Sequence, residues 1–76
     1  MFSKELFGER IRELRQKKNE VQSDLAQLLD VRVSHISEIE RGHRTTSPER
    51  IVLLCQHFKV SSDYLLGLTD NPKPRK

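Results

Sequence analysis

Residues Gln22 to Arg41 read QSDLAQLLDVRVSHISEIER, and the spacing of apolar residues there restricts the fold more than any other feature of the chain. Leu25, Ala26, Leu28 and Leu29 crowd a first short segment. Val33, Ile36 and Ile39 then recur every third residue, so they share one face of a helix. Asp30 stands between the two segments, and Asp is among the residues that best accept a positive φ. The pattern predicts a helix from about Gln22 to Leu29, a tight turn, and a second helix from about Val33 to Glu40. The outer face of the second helix shows Arg32, Ser34, His35, Ser37, Glu38 and Arg41. Ala26 is small, and a small side chain there lets a neighbouring helix cross closely.

The flanks extend the helical reading. Ser3 can cap a helix running from about Lys4 to Lys18, with Leu6 or Phe7, Ile11 and Leu14 on one stripe. Its acids come early and its bases late, which suits the helix dipole. Asn19 follows the last turn and tolerates the left-handed conformation. Val21 stands where a Ser or Thr would cap the next helix, so Asn19 or Ser23 is expected to supply that cap. Ser47-Pro48-Glu49 is a strong helix start and predicts a helix over about Pro48 to Phe58. Its stripe is Ile51, Leu54, Cys55 and Phe58. Ser61 or Ser62 caps a last short helix from Asp63 to about Leu66, stopped by Gly67. Gly42 is likewise placed as the stop of the helix before it. Residues 71–76 (NPKPRK) hold two prolines and no apolar residue, and read as a disordered basic tail after a domain at 1–70.

Composition narrows the class. Seventy-six residues allow one domain with a small core. Hydrophobic residues make up 34% and aromatics 5%, which favours an all-α unit over a β-sandwich. The lone Cys55 has no partner for an internal disulfide, which suits a reducing cytoplasm. No apolar run approaches a membrane span, and the start lacks a signal-peptide core. The sequence pI is near 9.4, but three of the fourteen bases, Lys73, Arg75 and Lys76, lie beyond residue 70. Eleven bases then face eleven acids in residues 1–70, so net charge alone makes no case for a polyanionic partner.

Taken together, GERIRELR (8–15), Gln22 with DLAQLL (24–29), SHISEIERG (34–42) and VSSDYLLGLTDNP (60–72) resemble the Xre/Cro-type helix-turn-helix DNA-binding domain of phage repressors and bacterial regulators. The resemblance spans about Gly8 to Asp70. It implies a compact five-helix bundle of the lambda-repressor-like type, with the motif formed by the second and third helices. Departures from the family pattern are Val21 for the usual cap, Asp30 for the usual glycine, and Glu20 at an often apolar position. The loop before Ser47 is about one residue longer than in compact relatives.

The resemblance also implies a site. In such a domain the third helix enters the major groove, and its first residues meet base edges. By position the base-reading residues are Arg32, Val33, Ser34 and Glu38. Arg32 suits a bidentate bond to guanine, and Val33 a thymine methyl. Ser34 suits either a base or a phosphate. Glu38 either accepts from a cytosine amino group or repels a phosphate. Gln22 matches the family's phosphate-binding glutamine, and Ser23, His35, Ser37, Arg41, His43, Arg44 and Thr45 are further backbone candidates. Arg15 and Glu40 match a family ion pair that braces the first helix against the third.

The expected partner is double-stranded DNA, bound by a homodimer acting as a repressor. Tyr64, Leu65, Leu66 and Leu68 are the first candidates for a dimer surface. The chain ends soon after this domain, so an effector domain is not expected here, although a DNA-binding fragment of a longer regulator would look the same. An antitoxin-like module that meets a protein partner is the second reading. Chemistry is the third and weakest: Ser34, His35 and Glu38 lie on a short helix without a pocket, and Cys55 and His57 are two apart on a helix and chelate poorly. No catalytic residue, metal or cofactor is expected.

Overall fold

Each helix forms where its start and stop signals stand. The computed structural model of the chain describes residues 2–74 and places α1 at Lys4–Lys17, α2 at Gln22–Leu29, α3 at Val33–Glu40, α4 at Pro48–Phe58 and α5 at Ser62–Leu65. The first helix ends one residue short of the expected Lys18. The last begins and ends one residue early, because Ser61 rather than Ser62 is the cap and accepts the Tyr64 N–H at 3.0 Å. Ser3 accepts the Leu6 N–H at 3.1 Å, and Ser47 accepts the Arg50 N–H at 3.3 Å ahead of Pro48. These bonds satisfy amides that a helix start would otherwise leave open.

The start of α2 works differently from expectation. Val21 occupies the cap position and has no side-chain acceptor, and neither Asn19 nor Ser23 takes its place. Instead the Asp24 carboxylate reaches back and accepts the Val21 N–H at 2.9 Å. Only this reciprocal half of a capping box forms. Asn19 is occupied elsewhere, as the left-handed residue that ends α1.

One stop geometry serves all five helices. A residue of positive φ follows each: Asn19 (56°), Asp30 (57°), Gly42 (79°), Lys59 (55°) and Gly67 (81°). The next amide then bonds back to a carbonyl five residues earlier: Glu20 to Arg15, Val31 to Ala26, His43 to Glu38, Val60 to Cys55, and Leu68 to Asp63, all at 2.8–3.1 Å. This is the Schellman arrangement, which satisfies carbonyls left open at a helix end. Lys59 is the surprise, since a lysine side chain gains nothing specific in that conformation.

The core lies between the helices. Phe7, Ile11, Leu25, Ile36, Ile39, Leu54 and Leu65 are almost wholly buried, each contributing roughly 1.5–3 kcal/mol by leaving water. Ala26, Leu29, Phe58 and Val60 complete the cluster. Of the expected α1 stripe, Phe7 is buried and Leu6 only half-buried. α3 packs on both α1 and α2, while α5 packs on α1 and α4.

Two α1 residues outside the apolar pattern set its position. Gly8 lies against the α3 backbone, where an added Cβ would stand 2.0 Å from the Ile39 carbonyl oxygen. Arg10 is buried, with its guanidinium 4.1 Å from the Tyr64 ring centroid. It donates to the Tyr64 and Thr69 carbonyls and to the Asp70 carboxylate. Asp70 is fully solvated, so the carbonyl bonds matter more than the ion pair. Arg10 thereby ties the chain after α5 to α1. Beyond it, the Ser61 N–H donates to the Pro72 carbonyl at 3.0 Å, so the first residues of the expected tail lie beside the start of α5. Arg75 and Lys76 lie outside the described residues.

The Gly8 contact is between backbones, so no side chain can move aside. Gly8→Ala should destabilise the domain by about 3 kcal/mol and lower Tm by roughly 10 °C or more. Thermal unfolding followed by circular dichroism checks this; an unchanged Tm would show that α1 and α3 can separate freely.

Candidate nucleic-acid interface

α3 has eight residues and is about 12 Å long. Ile36 and Ile39 point into the core, which turns the opposite face outward. Arg32 is the residue before the first turn, extended at φ −77° and ψ 154°, and it is exposed. Val33, 45% exposed, and Ser34 follow on the same outer end. Val33 is therefore not part of the core. Ser37 and Glu38 are half-buried one turn on, and Arg41 is exposed at the far end. Arg32, Val33, Ser34, Ser37 and Glu38 are therefore brought together on one surface.

What holds this surface is a buried network. Arg15 Nε donates to Glu40 Oε2 at 2.7 Å and Nη2 donates to Oε1 at 3.0 Å, a two-pronged bond. The third prong, Nη1, donates to the Glu20 carbonyl at 2.8 Å. Gln22 Nε2 adds a bond to Glu40 Oε1 at 3.0 Å. The Arg15 and Glu40 side chains are only 12% and 3% exposed. The hydrogen bond to Glu40 raises the Arg15 pKa above its ordinary value, against the opposing effect of burial. The end of α1, the α1–α2 turn, the start of α2 and the end of α3 thus meet at the Arg15–Glu40 pair.

Gln22 joins this network from the start of α2. Its side-chain nitrogen is bonded inward, yet it sits at the amino end of α2 beside exposed Ser23, where backbone N–H groups face outward. Arg12, Arg15, Gln22, Ser37, Glu40 and Arg41 line a shallow cleft between α1, α2 and α3. Arg12 escaped the sequence reading. The signal was its three-residue spacing from Arg15, which puts both on one side of α1.

His35 differs from the other outer-face candidates. It is half-buried, and its Nε2 atom is buried with no hydrogen-bond partner in the described structure. Burial lowers its pKa below the ordinary 6.5, and the charges of Arg44 and Arg50 lower it further, against Glu38. In the loop after α3, His43 and Arg44 are exposed while Thr45 is half-buried. Arg44 Nη1 donates to Glu38 Oε1 at 3.2 Å. Arg50 is held separately, donating to the Leu29 carbonyl at 3.2 Å. Glu20, at an often apolar family position, accepts from His57 Nε2 at 2.9 Å and so joins the α1–α2 turn to α4.

A helix-turn-helix family profile matches residues 11–65. The chain belongs to the helix-turn-helix family. The phage-repressor-like five-helix architecture that the resemblance implies is also that of solved structures. The P22 c2 repressor, solved with a synthetic operator, is 36% identical with a TM-score of 0.75, covering 80% of this chain and 92% of that one. The restriction-modification controller protein C.AhdI of Aeromonas hydrophila is 34% identical with a TM-score of 0.71, covering 82% and 94%. Among curated proteins, the uncharacterized HTH-type transcriptional regulator YobD of Bacillus subtilis is 30% identical over 70 residues. That match takes in 92% of this chain and 62% of YobD, so this helix-turn-helix domain spans less than two thirds of that relative's length. Among its described residues, no helix is long and apolar enough to cross a membrane.

The network makes two expectations measurable without any ligand. Arg15→Ala leaves a buried carboxylate unpaired, and should cost about 3 kcal/mol of stability. An unchanged Tm would show that Glu40 is satisfied without Arg15. His35 gives a pH effect. Its folded pKa is depressed, so the unfolded chain binds the proton more readily below about pH 6.5. Its contribution is therefore held above that pH and lost as the pH falls. His35→Gln should lose less stability than the parent between about pH 7.5 and 5.5, measured by denaturant titration at each pH. Parallel losses in the two proteins would rule out this role.

Proposed function

We propose that this chain is a sequence-specific DNA-binding transcriptional regulator, a repressor that binds a pseudo-palindromic operator as a homodimer. The observation that carries the reading is the exposed first turn of α3, with Arg32, Val33 and Ser34 turned outward on a helix that Arg15 and Glu40 hold from behind. A helix of this length fits a major groove about 12 Å wide. Arg32 suits a guanine edge, Val33 a thymine methyl, and Ser34 a base or phosphate. Gln22 and Ser23 at the start of α2, with Arg41, His43, Arg44 and Thr45, sit where backbone phosphates would run beside the groove. Ser37 lines the cleft with Gln22 and Arg41, and His35 lies on the side of α3 near Arg44 and Arg50. The operator-bound P22 c2 repressor, similar over most of both chains, supports double-stranded DNA as the partner.

A single α3 reads few base pairs, so a dyad is the economical arrangement. Two copies would read half-sites about 34–36 Å apart, one turn of the duplex. Of the residues expected at the dimer surface, Leu65 is buried, Tyr64 lies beside Arg10, and Leu68 is 70% exposed. Val52 and Leu53 on α4 are also exposed. Repression then follows from occupying DNA that polymerase needs, in the cytoplasm where the DNA lies.

Binding-site selection from random duplexes, followed by a salt titration, tests this. The expected result is a two-fold symmetric site whose affinity falls linearly on a logarithmic salt scale. Failure to retain any duplex at low salt, with tight salt-insensitive binding to a protein instead, would favour the antitoxin-like reading. Arg32→Ala should cost about 1–3 kcal/mol on the selected site and relax preference at one position. Gln22→Ala should weaken selected and random duplexes alike. A selection profile unchanged by Arg32→Ala would remove Arg32 from the reading surface.

A further inference from the structure

Two residues expected to meet DNA in different ways, one at a base edge and one at the backbone, are bonded to each other. Glu38 lies on the outward face of α3, and Arg44 lies in the loop behind it, 3.2 Å apart. The other α3 carboxylate, Glu40, is committed to Arg15 and Gln22, so Glu38 is the acid left beside the reading surface. Arg50, another guanidinium near this loop, is fixed to the Leu29 carbonyl, and Arg41 stands exposed at the end of α3. Both partners of the pair stay open to water, with the Arg44 and Glu38 side chains 49% and 42% exposed. Such a pair opens at little cost, because water already screens both charges. The backbone around it stays put, because the His43 N–H is bonded to the Glu38 carbonyl at 2.9 Å. Side chains alone have to move.

We infer that the Glu38–Arg44 pair is a specificity gate, in which the carboxylate occupies Arg44 in place of a DNA phosphate until the groove offers Glu38 a donor. The inference rests on the DNA-binding reading above. On an arbitrary duplex, releasing Arg44 to a phosphate leaves Glu38 bare beside acceptor edges and phosphates. That exchange gains one ion pair and loses another, so the pair stays closed. On a site that presents a cytosine amino group, Glu38 accepts from that group and Arg44 is free to meet a phosphate. Both charges are then satisfied, and the phosphate contact is made only on the right sequence. Glu38 thereby converts a sequence-blind contact into a sequence-dependent one. The same pair also limits sticking to bulk DNA.

The test is a cycle of four proteins, the parent, Glu38→Gln, Arg44→Gln and the double variant, each titrated with salt against a random-sequence duplex and the selected operator. Melting curves confirm that these surface variants fold. On random duplex, Glu38→Gln should tighten binding roughly two- to five-fold and steepen the logarithmic salt slope by about 0.9, one extra phosphate contact. In the Arg44→Gln background the same change should leave the slope unaltered. On the operator, both single variants should weaken binding. Equal tightening with and without Arg44, or an unaltered slope in Glu38→Gln, would reduce Glu38 to simple repulsion and overturn the gate. If the parent protein retains no duplex at low salt, the DNA-binding reading itself falls, and the gate with it.

Discussion

The rest of the structure depends on one carboxylate. Glu40 receives two bonds from Arg15 and one from Gln22, while Arg15 also holds the Glu20 carbonyl. A buried ion pair adds little net stability over a well-packed apolar contact, because both charges must leave water. Its value here is directional. Apolar packing of Ile36 and Ile39 would tolerate some rotation of α3 about its axis, but a planar guanidinium gripping a carboxylate at two points does not. Rotation by a fraction of a turn would carry Arg32 and Val33 off the outer face, so the setting of α3 is the quantity the network controls.

Other features act on the same quantity from different sides. Gly8 lets α1 approach α3 at backbone distance, which shortens the lever between them. The Gly42 stop ends α3 directly after Glu40 and sends the chain to Arg44, so the loop is aimed by the helix it follows. Glu20 and His57 tie the turn that Arg15 grips to α4. Arg10 fastens the middle of α1 to the carbonyls around α5. A domain with so few fully buried apolar residues gains much of its definition from these polar ties.

Where local chemistry decides, the residues could be read. Ser3, Ser47 and the Ser61-Ser62 pair announce helix starts, and Asn19, Asp30, Gly42 and Gly67 announce stops, because the conformations involved favour few side chains. The apolar periods of α2, α3 and α4 named most of the core, and Arg15 with Glu40 followed from family resemblance. What stayed hidden depends on distant partners. Arg10 looks like any solvated helix arginine until the Tyr64 and Thr69 carbonyls are seen beside it. Gly8 gives no sign in one dimension that the Ile39 carbonyl lies against it. Lys59 takes a left-handed turn that its side chain does not favour, imposed by the connection to α5. Asp24 replaced the expected cap because an acid three residues into a helix serves dipole and amide together. The inward turn of His35 and the Glu38–Arg44 bond are likewise three-dimensional facts on an outer face that looked uniform.

The Schellman stops have a consequence for how such a chain can change over generations. Each helix end is specified within about six residues, by a left-handed residue and a backbone bond that need no distant partner. On α3, the residues that anchor the helix, Ile36, Ile39 and Glu40, are not those at its outer end, Arg32, Val33 and Ser34. Mutations at the outer positions therefore alter neither where the helix ends nor how it is seated. Lineages sharing this frame can vary those outer residues without passing through unfolded intermediates, which fits relatives that keep the architecture at about one-third identity.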